Sequence, residues 1–142
     1  MAHFFIDICA FSNHYIGRRY ITKTEQRPKF GDIYFADLAG GTNLQKGHRP
    51  VLVVQNNTGN RYSSTFEVLP LSSRIYKARY MPTHVRVHSS PVNGLQKDSV
   101  ILAEQVVTIH IDQLGEYVGK LDHQSLVMVG RARAIQSPFP VA

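Results

Sequence analysis

The residues best placed to do chemistry lie in the stretch "QKGHRPVLVVQNN", where His48 and Arg49 stand immediately before Pro50 and an apolar run. An arginine keeps its charge and presents a planar fork of N–H donors that matches phosphate oxygens. Histidine is the side-chain type whose ordinary titration lies near neutrality. At the threshold of a buried strand, beside the Gly-rich segment "AGGTNLQKGH", this pair could meet a phosphodiester. On composition alone, an arginine in this place is more often a solvated charge at a strand end.

Other chemistries have less behind them. No His-x-x-x-His on a helix and no carboxylate cluster is present, and His84 and His88 on one strand are too far apart for one ion. They read as a solvated basic row, and no metal or cofactor is expected. Cys9 is the only cysteine, so no disulfide framework forms within the chain. No Gly-x-Ser-x-Gly elbow is present, and "AGGTNLQKG" lacks the Lys-Ser/Thr ending of a phosphate loop.

The elements that must hold these residues read mainly as β. "DIYFADL" (32–38) is rich in aromatic and β-branched residues, and "PVLVVQN" (50–56) has the continuous apolar run of a strand covered on both faces. "NTGN" supplies a turn, and "STFEVLPL" (64–71) a third strand in which Pro70 marks an edge or bulge. "SSRIYKARY" suggests a short helical turn. "THVRVH" alternates, with Val85 and Val87 on one face and His84, Arg86 and His88 on the other. "NGLQKD" turns, and "SVILAEQVVTI" (99–109) is one bent strand or two short ones. Only the end reads as helix: Asp122 caps it, Leu126, Val129, Ala132 and Ile135 recur along it, and Ser137-Pro138 closes it. Five or six short strands with a terminal helix predict a small β-barrel.

A chain of 142 residues suits one domain. Residues 27–86 carry nine Lys and Arg against three acids, whereas residues 87–142 carry four against five. A field concentrated in this way fits a polyanion partner, although generic basic surfaces look the same. No segment is long enough to span a membrane, and the start lacks the basic region of a signal peptide, which gives an expectation of a cytoplasmic protein. Residues 1–26 differ in character, as an added element or as an extension from an early start codon.

The segments "GDIYFADL", "GHRPVLVVQNNTGNRYSST", "MPTHV" and "LQKDSVILAEQVVTI" occur in this order and together resemble the MazF/PemK family of bacterial toxin–antitoxin endoribonucleases. The resemblance runs from residue 27 to the C-terminus, leaving 1–26 as an extension. It implies a small SH3-like β-barrel of the CcdB/PemK type with a C-terminal helix, and a homodimer. It also implies metal-independent cutting of single-stranded RNA, and a cognate antitoxin that blocks the RNA channel, with DNA bound only through the antitoxin complex. It places the catalytic arginine at Arg49. In "VLPLSSR" it places the catalytic hydroxyl at Ser72, where the family usually has Thr. Candidate RNA contacts are Asn43, Gln45, Lys46 and His48 around the loop, Ser73, and the pair Glu104 and Gln105 in "LAEQ". Arg74, Lys77 and Arg79 would follow the backbone. Leu44 stands where the family often carries an acid, so that acid is not carried over and the general base is unassigned. Two alternatives remain: a gyrase-poisoning toxin on a related barrel, for which Arg49 would be dispensable, and an inactive nucleic-acid or antitoxin-binding module.

Overall fold

The computed structural model describes residues 27–75 and 81–141. Within them the elements are β1 (Asp32–Leu38), β2 (Gly47–Val53), α1 (Asn57–Tyr62), β3 (Thr65–Ser72), β4 (His84–Val87), β5 (Ser99–Leu102), β6 (Val107–His110), a 3₁₀ turn (Ile111–Gln113), β7 (Leu114–Lys120) and α2 (His123–Gln136). The described strands number seven rather than five or six. The addition is β7, "LGEYVGK", whose two glycines and charged residues hide it locally. It becomes a strand by pairing with β1, Asp32 opposite Lys120 and Ile33 opposite Gly119.

All pairings are antiparallel, in the order β4-β5-β3-β2-β1-β7, with β6 also on β3. β4 and β7 end the ladder, and the turn between β4 and β5 bridges them: Lys120 N–H donates to the Val92 carbonyl at 3.2 Å. Glycine makes this seam possible. A Cβ on Gly119 would lie 2.4 Å from the Asn93 carbonyl, and one on Gly94 2.0 Å from that of Val118.

The apolar run of β2 is covered on both faces, as its composition predicts. Leu52 packs into one core with Ile33, Leu69 and Ile101, while Val51 and Val53 enter a second with Tyr34, Phe66 and Ile109. Burial of each such side chain contributes about 1.5–3 kcal/mol, so β2 is fixed independently of what Arg49 does at its exposed end. The strand starts at Gly47, which makes His48 and Arg49 its members, opposite Asp37 and Ala36 of β1.

Pro70 behaves as expected. Residues 99–110 form two short strands, with β5 pairing Leu71 and Ser72 and β6 pairing residues 65–68. Between them, opposite Leu69 and Pro70, residues 103–106 bulge out of the ladder. Proline offers no N–H to keep that edge regular.

Two expectations for helices need correction. "NTGN" opens α1 instead of a turn, because the Asn56 side chain accepts the Gly59 N–H and caps it. Asp122 does cap α2, accepting the Ser125 N–H at 2.9 Å. Val129 and Ala132 are buried and Leu126 is partly so, but Ile135 is 56% exposed. A spacing of three drifts against the helical period of 3.6, so nine residues carry Ile135 about half a turn away from Leu126. The expected turn over "SSRIYKARY" lies largely outside the described residues, as do Lys77, Arg79 and residues 1–26.

Candidate active site

Two open clefts meet at the end of β3. The first, of about 490 Å³, is bordered by Phe35, His48, Arg49, Ser72, Ser73, Arg74 and Lys97. The second, of about 540 Å³, is bordered by Asn43, Gln45, His84, Glu104 and Gln105. Ser72 and Arg74 border both. Eight of the nine sequence-predicted residues thus line one cleft or the other, with Ser72 at the junction. Lys46 is exposed and lines neither.

The first cleft carries the fixed charges of Arg49, Arg74 and Lys97, and no Asp or Glu is among its described lining residues. Half-buried Arg49 has its pKa lowered, by burial first and then by the nearby positive charge of Arg74. Its Nε donates to the Lys46 carbonyl at 3.0 Å and its Nη1 donates to Gln45 Oε1. Ser72 ends β3 opposite Val100, and its Oγ accepts the Arg74 N–H at 3.3 Å.

His48 is exposed yet held. Its ring stacks on Phe35 at 4.9 Å between centroids, and Nδ1 lies 2.9 Å from Asp37 Oδ1. Strand alternation puts His48 in the row of Pro50 and Leu52, and Arg49 in the row of Val51 and Val53. Both nevertheless border the same cleft, because the strand ends there.

The second cleft is polar without being strongly cationic. The expected solvated basic row on β4 holds at Arg86 and His88, which are exposed, and is corrected at His84. His84 Nε2 pairs with Glu104 Oε1 at 2.9 Å, with only 14% and 19% of the two side chains exposed. His88 is exposed but lies 3.1 Å from Asp98. The carboxylates come from the 99–110 segment and the turn before it, which the β4 sequence alone cannot reveal.

Sequence reasoning missed Lys97, Phe35 and Tyr117, all of which border the first cleft. Lys97 sits in "NGLQKD", which reads locally as a turn. Only the antiparallel pairing of β5 with the end of β3 brings it to Arg49.

The chain matches the family model described as PemK-like, MazF-like toxin of type II toxin-antitoxin system over residues 29–136. It is 42% identical over 108 residues to the endoribonuclease EndoA of Bacillus subtilis, covering 75% of this chain and 91% of that protein. It is also 42% identical over 103 residues to the endoribonuclease MazF of Staphylococcus saprophyticus, covering 72% and 84%. Among solved structures, a mycobacterial endoribonuclease in complex with its cognate antitoxin aligns with a TM-score of 0.63 at 26% identity, covering 81% of this chain and 99% of that one. MazF from Deinococcus radiodurans aligns with a TM-score of 0.69 at 19% identity, covering 81% and 100%, a likeness of fold. None of these relatives is named as a gyrase poison, and that alternative is not favoured. The mainly antiparallel β-fold with its C-terminal helix, and the match over most of its length, place the chain in the PemK-like, MazF-like family of type II toxin–antitoxin toxins.

Proposed function

We propose that this toxin is a sequence-specific endoribonuclease that cuts single-stranded RNA. It works without a metal and leaves a 2′,3′-cyclic phosphate and a 5′-hydroxyl. The observation that carries the reading is the first cleft: three fixed cations and a serine hydroxyl around one opening, with no carboxylate among its described lining residues to repel a phosphodiester.

RNA supplies its own nucleophile. The 2′-hydroxyl loses its proton to a base, its oxygen forms a bond to the adjacent phosphorus, and the bond from phosphorus to the 5′-oxygen breaks as that oxygen takes up a proton. Negative charge builds on the phosphorane oxygens between these events, so preorganised donors there lower the barrier. Arg49 supplies that charge and donates a hydrogen bond to the leaving oxygen as the bond breaks. Ser72 donates to a non-bridging oxygen. His48, Ser73 and Arg74 contact phosphate along the first cleft. The second cleft receives bases, whose edges are read by hydrogen bonds once they are unstacked; Asn43 and Glu104 border it. Lys46, exposed beside the loop, meets the strand as it enters.

The protein acts in the cytoplasm on messenger RNA, as a homodimer, until a cognate antitoxin covers the clefts. Among the described residues no helix is long and apolar enough to cross a membrane. Residues 1–26 form an extension outside the toxin domain.

Incubation of the protein with a long single-stranded RNA in excess EDTA, beside an Arg49→Ala variant, tests the reading. Discrete cuts by the parent and loss of at least about a hundredfold in rate for the variant are expected. Absence of cleavage by either protein, together with inhibition of gyrase supercoiling, would overturn the reading in favour of the gyrase-poisoning alternative.

A further inference from the structure

Arg49 does not stand alone at its cleft; a series of hydrogen bonds connects it to the bulge between β5 and β6. That bulge is firmly seated. Ala103 is fully buried, its N–H donates to the Thr83 carbonyl at 3.0 Å, and its carbonyl accepts Arg133 Nη1 of α2 at 2.6 Å. From the bulge, Gln105 reaches across to the loop before β2. Its Oε1 accepts the Gln45 N–H at 3.0 Å, and its Nε2 donates to the Asn43 carbonyl at 3.4 Å. The Gln45 side chain in turn accepts Arg49 Nη1, and the next carbonyl, that of Lys46, accepts Arg49 Nε.

The loop has little else to define it. Residues 39–44 and 46 are exposed, two of them are glycines, Asn43 has a φ of 63°, and one bridge joins Gly41 to Leu44. An arginine side chain carries about 2 kcal/mol of rotamer entropy, so its fork is useful at a transition state only if something fixes it. Both polar atoms of the Gln105 amide are engaged with the loop, which fixes the orientation of this side chain against the loop backbone. Arg49 retains the remaining donors of its fork for a phosphate.

We propose that Gln105 is a positioning residue for RNA cleavage: by holding the backbone of Gln45 it sets the direction of the Arg49 guanidinium. The inference rests on the assignment of Arg49 to the cleavage step. It treats Gln45 and Gln105 as a relay within the protein instead of as readers of sequence.

The test compares Gln105→Leu and Gln105→Glu with the parent in single-turnover cleavage at saturating RNA. Affinity for a 2′-deoxy RNA and the positions of the cuts are measured in parallel. Leucine removes both hydrogen bonds at similar size; its rate is expected to fall by about ten- to a hundredfold, the cost of a misplaced catalytic group, with affinity and cut positions unchanged. Glutamate keeps an oxygen for the Gln45 N–H and is expected to recover most of the rate. A Gln45→Leu variant interrupts the same relay, so the double variant should be no slower than the slower single one. The relay is overturned if Gln105→Leu weakens binding or moves the cuts while its saturated rate is intact, or if glutamate is as slow as leucine. An Arg49→Ala variant separates the levels. Its cutting at the parent rate would overturn the assignment beneath the relay. A dead Arg49→Ala beside an unimpaired Gln105→Leu would overturn the relay alone.

Discussion

Arg49 is poised by neighbours that a phosphate does not have to displace. Burial and Arg74 already oppose its charge, so an incoming anion relieves that opposition as well as gaining hydrogen bonds. Ser72 sits where both clefts meet, and its hydroxyl already accepts a backbone N–H, which leaves its own proton for a substrate oxygen. Ser72→Ala should therefore slow cleavage by about a hundredfold, the scale for losing one transition-state donor. Ser72→Thr should match or exceed the parent, because the hydroxyl is retained and the added methyl restricts its rotamers. Cleavage rates at saturating RNA decide this, and full activity in the alanine variant would remove Ser72 from the chemistry. At this scale the sequence was informative about the arginine type at a strand threshold, but only the family resemblance singled out Ser72 among many serines. Lys97 and the His84–Glu104 pair were hidden because each depends on a partner distant along the chain.

The strands that carry the site were legible where their apolar pattern is strong. β1, β2 and β3 each contain a run of consecutive buried side chains, and such apolar runs are visible in the sequence before any tertiary detail. β7 was not legible, since its glycines serve a backbone contact with the turn that closes the sheet, and that contact does not exist until the fold does. The terminal helix was legible through its cap. Hydrogen bonds from Ser125, side chain first and backbone second, hold the Asp122 carboxyl below its ordinary range. Its folded pKa is thus lower than its unfolded one. The contribution is present above the ordinary value of about 3.9 and is lost as pH falls through the lower folded value. Asp122→Ala should cost about 1 kcal/mol at neutral pH, the usual worth of such a cap, and the gap from the parent should narrow in acid. Asp122→Asn should retain most of the cap and show less of that acid dependence. Denaturant unfolding at pH 7 and pH 3 checks both. An alanine variant as stable as the parent at pH 7 would contradict the assignment.

For the whole molecule, the uneven charge seen along the chain becomes a local field at one end of the sheet. Arg49, Arg74 and Lys97 converge on the first cleft, while the second shares only Arg74 of these and adds the carboxylate of Glu104 beside His84. On the proposed function, the first cleft grips phosphate and the second is free to discriminate bases. If those three cations each meet a phosphate, the logarithm of RNA affinity should fall with the logarithm of salt with a slope of about −2, from roughly 0.7 per contact on a single strand. Removing Lys97 should make that slope shallower by about 0.7 without moving the cut sites. Unchanged salt dependence would place the strand elsewhere. The central claim, that RNA's own 2′-hydroxyl attacks within the Arg49 cleft, is met most directly by a single atom change in the substrate. An RNA with one 2′-deoxy nucleotide on the 5′ side of a mapped cut should still bind and should not be cut there, while its other sites are cleaved as before. Continued cleavage at the 2′-deoxy position would contradict the mechanism.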